Sequence, residues 1–272
     1  MTGEPDAEAP GGALRDPVAD PARDSAQDPW ARLRQATAAR IGLGRSGDAL
    51  PLKAVLDFQL AHAQARDAVH TALDVEALAD QLAPLPVLRV RSAAVDRGLY
   101  LRRPDLGRRL APECRELLSP AGKDVVFVIG DGLSARAVQH HAVPLLRECL
   151  ERLRDISVAP VVIATQARVA LGDEIGHLLG ARLCAVLIGE RPGLSVADSL
   201  GVYLTHAPKP GRADSERNCI SNIHGAGGLS YPAAADKLVW LMRQALIRGL
   251  TGVRLKDDAG ALPGGVAPGL EG

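Results

Sequence analysis

The stretch DSERNCISNIHGAGG, residues 214–228, gathers a thiol, an imidazole, two side-chain amides and a run of glycines, and reads as a loop. Cys219 and His224 could serve as a nucleophile with its base, because a neighbouring imidazole draws a thiol toward the reactive thiolate. Such pairs usually meet through folding and not through adjacency, so a small buried thiol and a hydrogen-bonded loop histidine fit the spacing better. A metal centre needs three or four converging ligands, and this stretch offers two. Asn222, His224 and Gly227 also make N-x-H-x-x-G, close to the D-x-H-x-x-G with which some cobalamin proteins place a histidine on cobalt. Asparagine stands where a carboxylate should orient the imidazole, and too little chain follows for the βα units that such a motif opens. His177 has a glycine three residues on, but Asp173 lies four residues before it on a helix face. Neither histidine is expected to ligate cobalt. No residue of this chain is expected to be catalytic, and none is assigned to a metal.

The elements around this stretch follow from periodicity. From about residue 85, nearly continuous apolar runs (VLRVRSAAV, DVVFVIG, VAPVVIAT, RLCAVLIGE) alternate with helical patterns (LSARAVQHHAVPLLRECLERL, VALGDEIGHLLG). LGVYLTHA reads as a further strand and AAADKLVWLMRQALIRG as a closing helix. Apolar strands alternating with helices predict an α/β fold, a Rossmann-like, doubly wound, mostly parallel sheet. Ahead of it, residues 28–84 read as an N-terminal helical arm. Asp28 is placed to cap a first helix and Asp48 a second, with Leu52, Val55, Leu56, Leu60, Ala63 and Val69 making an apolar stripe. Residues 85–256 form the main domain. Residues 1–27, acidic and rich in Pro, Ala and Gly, and residues 257–272 read as disordered tails.

In a doubly wound sheet, ligands bind beyond the carboxyl ends of the strands. GDGLSA (130–135), TQARVALG (165–172), GERPGLS (189–195) and the opening stretch should collect there. GDGLSA matches the G-x-G-x-x-A dinucleotide fingerprint, yet the next strand ends in Ala164, Thr165 and Gln166, without the acidic residue that holds a ribose. NADP survives only through Arg168, and the glycines fit a tight turn or a close approach to some other ligand better. Ser134 and Ser195 read as caps. His140 and His141 fall within a helix, and His62 and His70 on the arm.

Composition narrows the classes further. Zero formal net charge and 3% aromatic residues argue against a dedicated nucleic-acid binder. No apolar run is long enough to span a bilayer and no signal-peptide core is present, so a cytoplasmic protein is expected. Cys114, Cys149, Cys184 and Cys219 recur every 35 residues, but their flanks differ and the spacing is coincidental. Arg89, Arg91, Arg97, Arg102, Arg103, Arg108 and Arg109 are expected to face carboxylates of this chain or of a partner.

LDFQLAHAQARDAV, VVFVIGDGLSARAVQHHAVPLL, LIGERPGLSVADSLGVYLTHAPKPGRADSERNCISNIH and GGLSYPAAADKLVWLM together resemble the small subunit of ethanolamine ammonia-lyase, over about residues 28–256. The resemblance implies a subunit of an adenosylcobalamin-dependent lyase that turns ethanolamine into acetaldehyde and ammonia. It implies a large barrel subunit carrying the catalytic residues, with this chain closing over the cobalamin, and a hetero-oligomer of several large–small pairs. It also implies that cobalt keeps its own benzimidazole, and a cytoplasmic setting or a bacterial microcompartment. The cofactor contacts it implies are Val169 in ARVALGD, Glu190 in IGERPG and Cys219 in RNCISN. The alternatives are an NADP-binding Rossmann oxidoreductase, active alone, and a non-catalytic scaffold.

Overall fold

The computed structural model describes residues 28–256 except positions 29, 38 and 226. The tails expected at 1–27 and 257–272 lie outside the described residues. Two compact units divide between Val55 and Leu56. In the first, α1 spans Ala31–Ala36. Asp28 accepts a hydrogen bond from the Trp30 amide and pairs with Arg34, so it braces the helix entry without being its cap residue.

Helix α2 spans Leu52–His70 and begins after Pro51, not at Asp48. The carbonyl of Pro51 accepts the first helical hydrogen bond, from Val55. Among the described residues the predicted apolar stripe faces no core. Leu52, Leu56 and Leu60 are each more than half exposed, and the buried residues of α2 are Ala61 and Ala68.

From Leu56 onward the fold is α/β. Helix α3 (Val75–Leu82) is capped by Asp74, which accepts from the Ala77 amide. The strands are β1 (Val87–Arg91), β2 (Val125–Gly130), β3 (Val161–Thr165), β4 (Leu183–Gly189), β5 (Leu200–His206) and β6 (Arg217–Ile223). Helix α4 (Arg97–Arg102) follows β1, α5 (Ala135–Arg152) joins β2 to β3, α6 (Leu171–Leu178) joins β3 to β4, and α7 (Tyr231–Arg248) follows β6. One six-stranded sheet runs β1-β3-β2-β4-β5-β6. Its first four strands are parallel, and β4–β5–β6 is an antiparallel meander, so the sheet is mixed.

Both β2 and β4 are buried along their whole length, as an apolar strand between two helical layers must be. Val125, Phe127 and Ile129 face α5 and α7, whereas Val126 and Val128 face α6. The second face is covered less completely. Beyond α6, which has only eight residues, the outer face of β5–β6 carries Tyr203 and the exposed Cys219. The first face of the same hairpin packs Leu200, Val202, Leu204, Ile220 and Ile223 into the main core.

The opening stretch departs from expectation. Residues 217–223 are a strand, not a loop. The pairing changes register between Leu200↔Ile223 and Val202↔Ile220, which leaves one extra residue on β6. Asn222, with φ of 63°, lies in this bulge. The bulge sets Ile220 and Ile223, three residues apart, on one face, and Arg217 is buried on the other against Asp173, so β6 lacks the period-two signature of a half-buried strand.

Candidate functional site

Two adjoining cavities open on the less covered face. One, of about 260 Å³, is lined by Arg108, Arg168, Val169, Ala170, Asp214 and Arg217 with Tyr203 and Cys219. The other, of about 380 Å³, includes Arg168, Val169 and Tyr203 again, with Tyr100, Gly132 and Glu190. The two share Arg168, Val169 and Tyr203. The residues singled out in sequence, Val169, Glu190 and Cys219, therefore line one concave surface. Val169 and Glu190 sit in loops at the carboxyl edge of the sheet, as expected, but Cys219 reaches the surface from the middle of β6.

Each is held by its neighbours. Asp173, in the first turn of α6, accepts two hydrogen bonds from Arg217 of β6, at 2.6 and 2.8 Å. Both side chains are almost fully buried, and Arg217 also donates to the Thr205 hydroxyl and the Arg212 carbonyl. This pair fastens the start of α6, and with it Val169 and Ala170, beside β6. On the other side, the buried Asp131 carboxylate accepts from the amides of Gln166 and Ala167, at 2.9 and 2.8 Å. Gln166 has a positive φ of 54°. The two amide bonds hold the strained turn that presents Arg168 and Val169.

Glu190 Oε2 accepts from the Ser199 hydroxyl at 2.6 Å and from the Asn222 amide at 3.4 Å. Its carboxylate lies over Gly201, where a Cβ would come within 2.8 Å of Oε1. Cys219 is the cross-strand partner of Tyr203. Desolvation raises the Cys219 thiol pKa above its ordinary value and the Glu190 charge raises it further, against a lowering hydrogen bond with Tyr203. A raised thiol is the reverse of an activated nucleophile. His224 is buried and its Nε2 lies 2.9 Å from Asn222 Oδ1. It is packed against Gly228 and so is not displayed to a ligand.

The dinucleotide reading also has a structural answer. Gly132 has φ of 56°, and a Cβ there would lie 2.2 Å from the Gly189 carbonyl oxygen, which accepts from the Leu133 amide. The glycines thus let two backbone turns meet where a pyrophosphate would need room. Ser134 caps α5, accepting from the Ala137 amide, and donates to the Ala197 carbonyl. No helix follows Ser195 directly, so it is not a helix cap. The arginine group behaves as expected in part: Arg89, Arg91, Arg97 and Arg103 pair with Glu76, Glu113, Asp131 and Asp105.

Three site residues carried little sequence signal. Tyr100 donates to the Ala167 carbonyl at 3.0 Å and lies between Arg97 and Arg168, whose guanidinium carbons are 4.7 and 4.4 Å from its ring centre. Burial pushes the Tyr100 hydroxyl up to about 12. Arg168 Nε is buried with no hydrogen-bond partner among the described residues. Tyr203 and His206 are the two half-buried residues of an otherwise buried β5, and in sequence Tyr203 shows only as a polar-tipped residue within an apolar run.

Comparison with known proteins identifies the family. The family model for the ethanolamine ammonia-lyase light chain matches residues 27–256. The ethanolamine ammonia-lyase small subunit of Azotobacter vinelandii is 56% identical over 243 residues, 86% of this chain and 90% of that protein. That of Rhodopseudomonas palustris is 58% identical over 234 residues, covering 84% of this chain and 89% of the relative. That of Pseudomonas fluorescens is 54% identical over 243 residues, 86% of this chain and 88% of the relative. By the match over most of its length and by these identities, the chain belongs to the ethanolamine ammonia-lyase small-subunit family.

Proposed function

We propose that this chain is the small subunit of an adenosylcobalamin-dependent ethanolamine ammonia-lyase and forms one wall of the cobalamin pocket against a large catalytic subunit. The observation that carries this reading is the single concave surface on which Val169, Glu190 and Cys219 meet. Its chemistry suits a corrin ring fringed with amides. Val169 packs against apolar surface, Glu190 accepts amide N–H groups, and Cys219 with Tyr203 offers a small, weakly polar floor. Arg168 brings a buried N–H that still lacks an acceptor, and a ligand amide or phosphate oxygen would satisfy it. When bound, adenosylcobalamin supplies the radical chemistry that converts ethanolamine to acetaldehyde and ammonia. Val169, Glu190, Cys219 and Arg168 would hold and orient the cofactor and exclude water from the surface they cover.

Coexpression with the large subunit tests this reading. Ethanolamine-dependent acetaldehyde formation should require adenosylcobalamin and both chains. Activity of this chain alone with NADPH would favour the oxidoreductase alternative. Full activity and unchanged cobalamin affinity in a complex lacking Glu190 and Val169 side chains would favour the scaffold.

A further inference from the structure

We infer that His140, His141 and Asp198 form a binding site for a divalent transition cation such as Zn²⁺, away from the cavity wall described above. His140 and His141 lie in the first half of α5, and Asp198 lies in the β4–β5 connection. Among the described residues they form a His/Asp trio whose ligand atoms all fall within 4.8 Å of one another. Asp198 Oδ2 is 3.4 Å from His140 Nδ1 and 3.9 Å from His141 Nε2. The Asp198 backbone oxygen is 3.0 Å from His141 Nε2. Tetrahedral zinc with bonds of about 2.0–2.2 Å separates its ligands by roughly 3.3–3.5 Å, so the two Asp198 distances are already near that spacing, and rotation of the half-exposed His140 ring would bring in any pair still as wide as 4.8 Å.

Two further observations support ligation. His141 is buried and its Nδ1 lies 2.8 Å from the Tyr231 hydroxyl. In the free chain an Nε2–H can donate to the Asp198 carbonyl; an ion would replace that proton, with Nδ1–H then donating to the Tyr231 oxygen, the outer-sphere arrangement that orients metal-bound histidines. The Asp198 carbonyl or a water can fill the fourth position. Two imidazoles with one carboxylate select zinc-like ions over Mg²⁺ and Ca²⁺, which take oxygen donors. A bound ion would tie α5 to the β4–β5 connection one residue before Ser199, whose hydroxyl donates to Glu190.

Chelator-stripped full chain, titrated with Zn²⁺ against a chromogenic competitor, tests the site. The wild type should hold one equivalent that Mg²⁺ does not displace. His140→Ala and Asp198→Asn should weaken it by about tenfold or more, with unchanged circular dichroism. Substituted Co²⁺ should give a visible absorption band that both variants lose. His140 is half exposed, so its truncation leaves the core untouched. No zinc retained by the wild type, or equal zinc affinity in both variants, would overturn the assignment.

Discussion

Glu190 lines the larger cavity, and its carboxylate is held by the Ser199 hydroxyl and the Asn222 amide. A carboxylate fixed in this way loses little freedom on meeting an amide, so its hydrogen bond contributes to binding rather than to ordering. Glu190→Ala should weaken cobalamin binding to the assembled enzyme by about five- to 150-fold, the equivalent of 1–3 kcal/mol for one unpaired buried amide, with turnover at saturating cofactor nearly unchanged. Equilibrium dialysis of the complex measures this, and an unaltered affinity would remove Glu190 from the contact set. Cys219 belongs to the same wall without being reactive. Its raised thiol pKa keeps the thiolate a minor species near neutral pH. Cys219→Ala should retain substantial turnover. Alkylation of the full chain, where Cys114, Cys149 and Cys184 are buried, should be slow at neutral pH and keep accelerating past about 9, the ordinary value from which Cys219 is shifted upward, without levelling off there. Rapid alkylation at pH 7 would contradict that environment.

Between elements, two joints decide the shape of the site. The first is the buried Asp173–Arg217 pair between α6 and β6. Removing one partner strands a buried charge, so Arg217→Met should lower stability by about 3–5 kcal/mol, and Asp173→Leu combined with Arg217→Met should recover most of the loss. Urea denaturation of the full chain distinguishes the two; an additive loss in the double variant would mean that the pair contributes little as a unit. The second joint is the meeting of the turns after β2 and β4. Gly132→Ala places a methyl group against the Gly189 carbonyl at a positive φ and should cost about 2 kcal/mol or more. Gly211 also has positive φ, of 92°, but faces open space, so Gly211→Ala should show the backbone strain alone. Equal losses at the two glycines would mean that the close approach of the turns carries no weight.

At the scale of the molecule, the sheet is covered unevenly. One face is closed by α5 and α7, while the other leaves the outer side of β5–β6 partly bare beyond α6. Cavities of about 260 and 380 Å³ are smaller than a cobalamin, so under the proposed function this chain would supply a wall and not an enclosure. Adenosylcobalamin should therefore raise the Tm of the large–small complex by mass action and leave the Tm of the isolated chain nearly unchanged. A clear rise for the isolated chain in differential scanning calorimetry would mean that the chain binds the cofactor unaided. No described helix is long and apolar enough to cross a membrane.

The apolar runs at 125–130 and 183–189 by themselves determined the central strands, because a segment that is apolar throughout can only be satisfied between two covered faces. The helical periods flanking them determined the α/β class, and the motif-bearing segments marked the carboxyl edge where Val169 and Glu190 lie. Other features were decided only by tertiary structure. β6 was unreadable as a strand because its bulge separates Ile220 from Ile223 by three residues and the charged Arg217 is buried on the opposite face. The apolar side of α2 resembled a core stripe, yet a periodic pattern fixes only which residues share a face, not what covers it. Tyr100, Arg168 and Tyr203 join one surface across more than a hundred residues of chain, as does the His140–His141–Asp198 cluster across 58. Such meetings depend on strand order, on where helices stop and on which turns touch, none of which a local sequence pattern encodes.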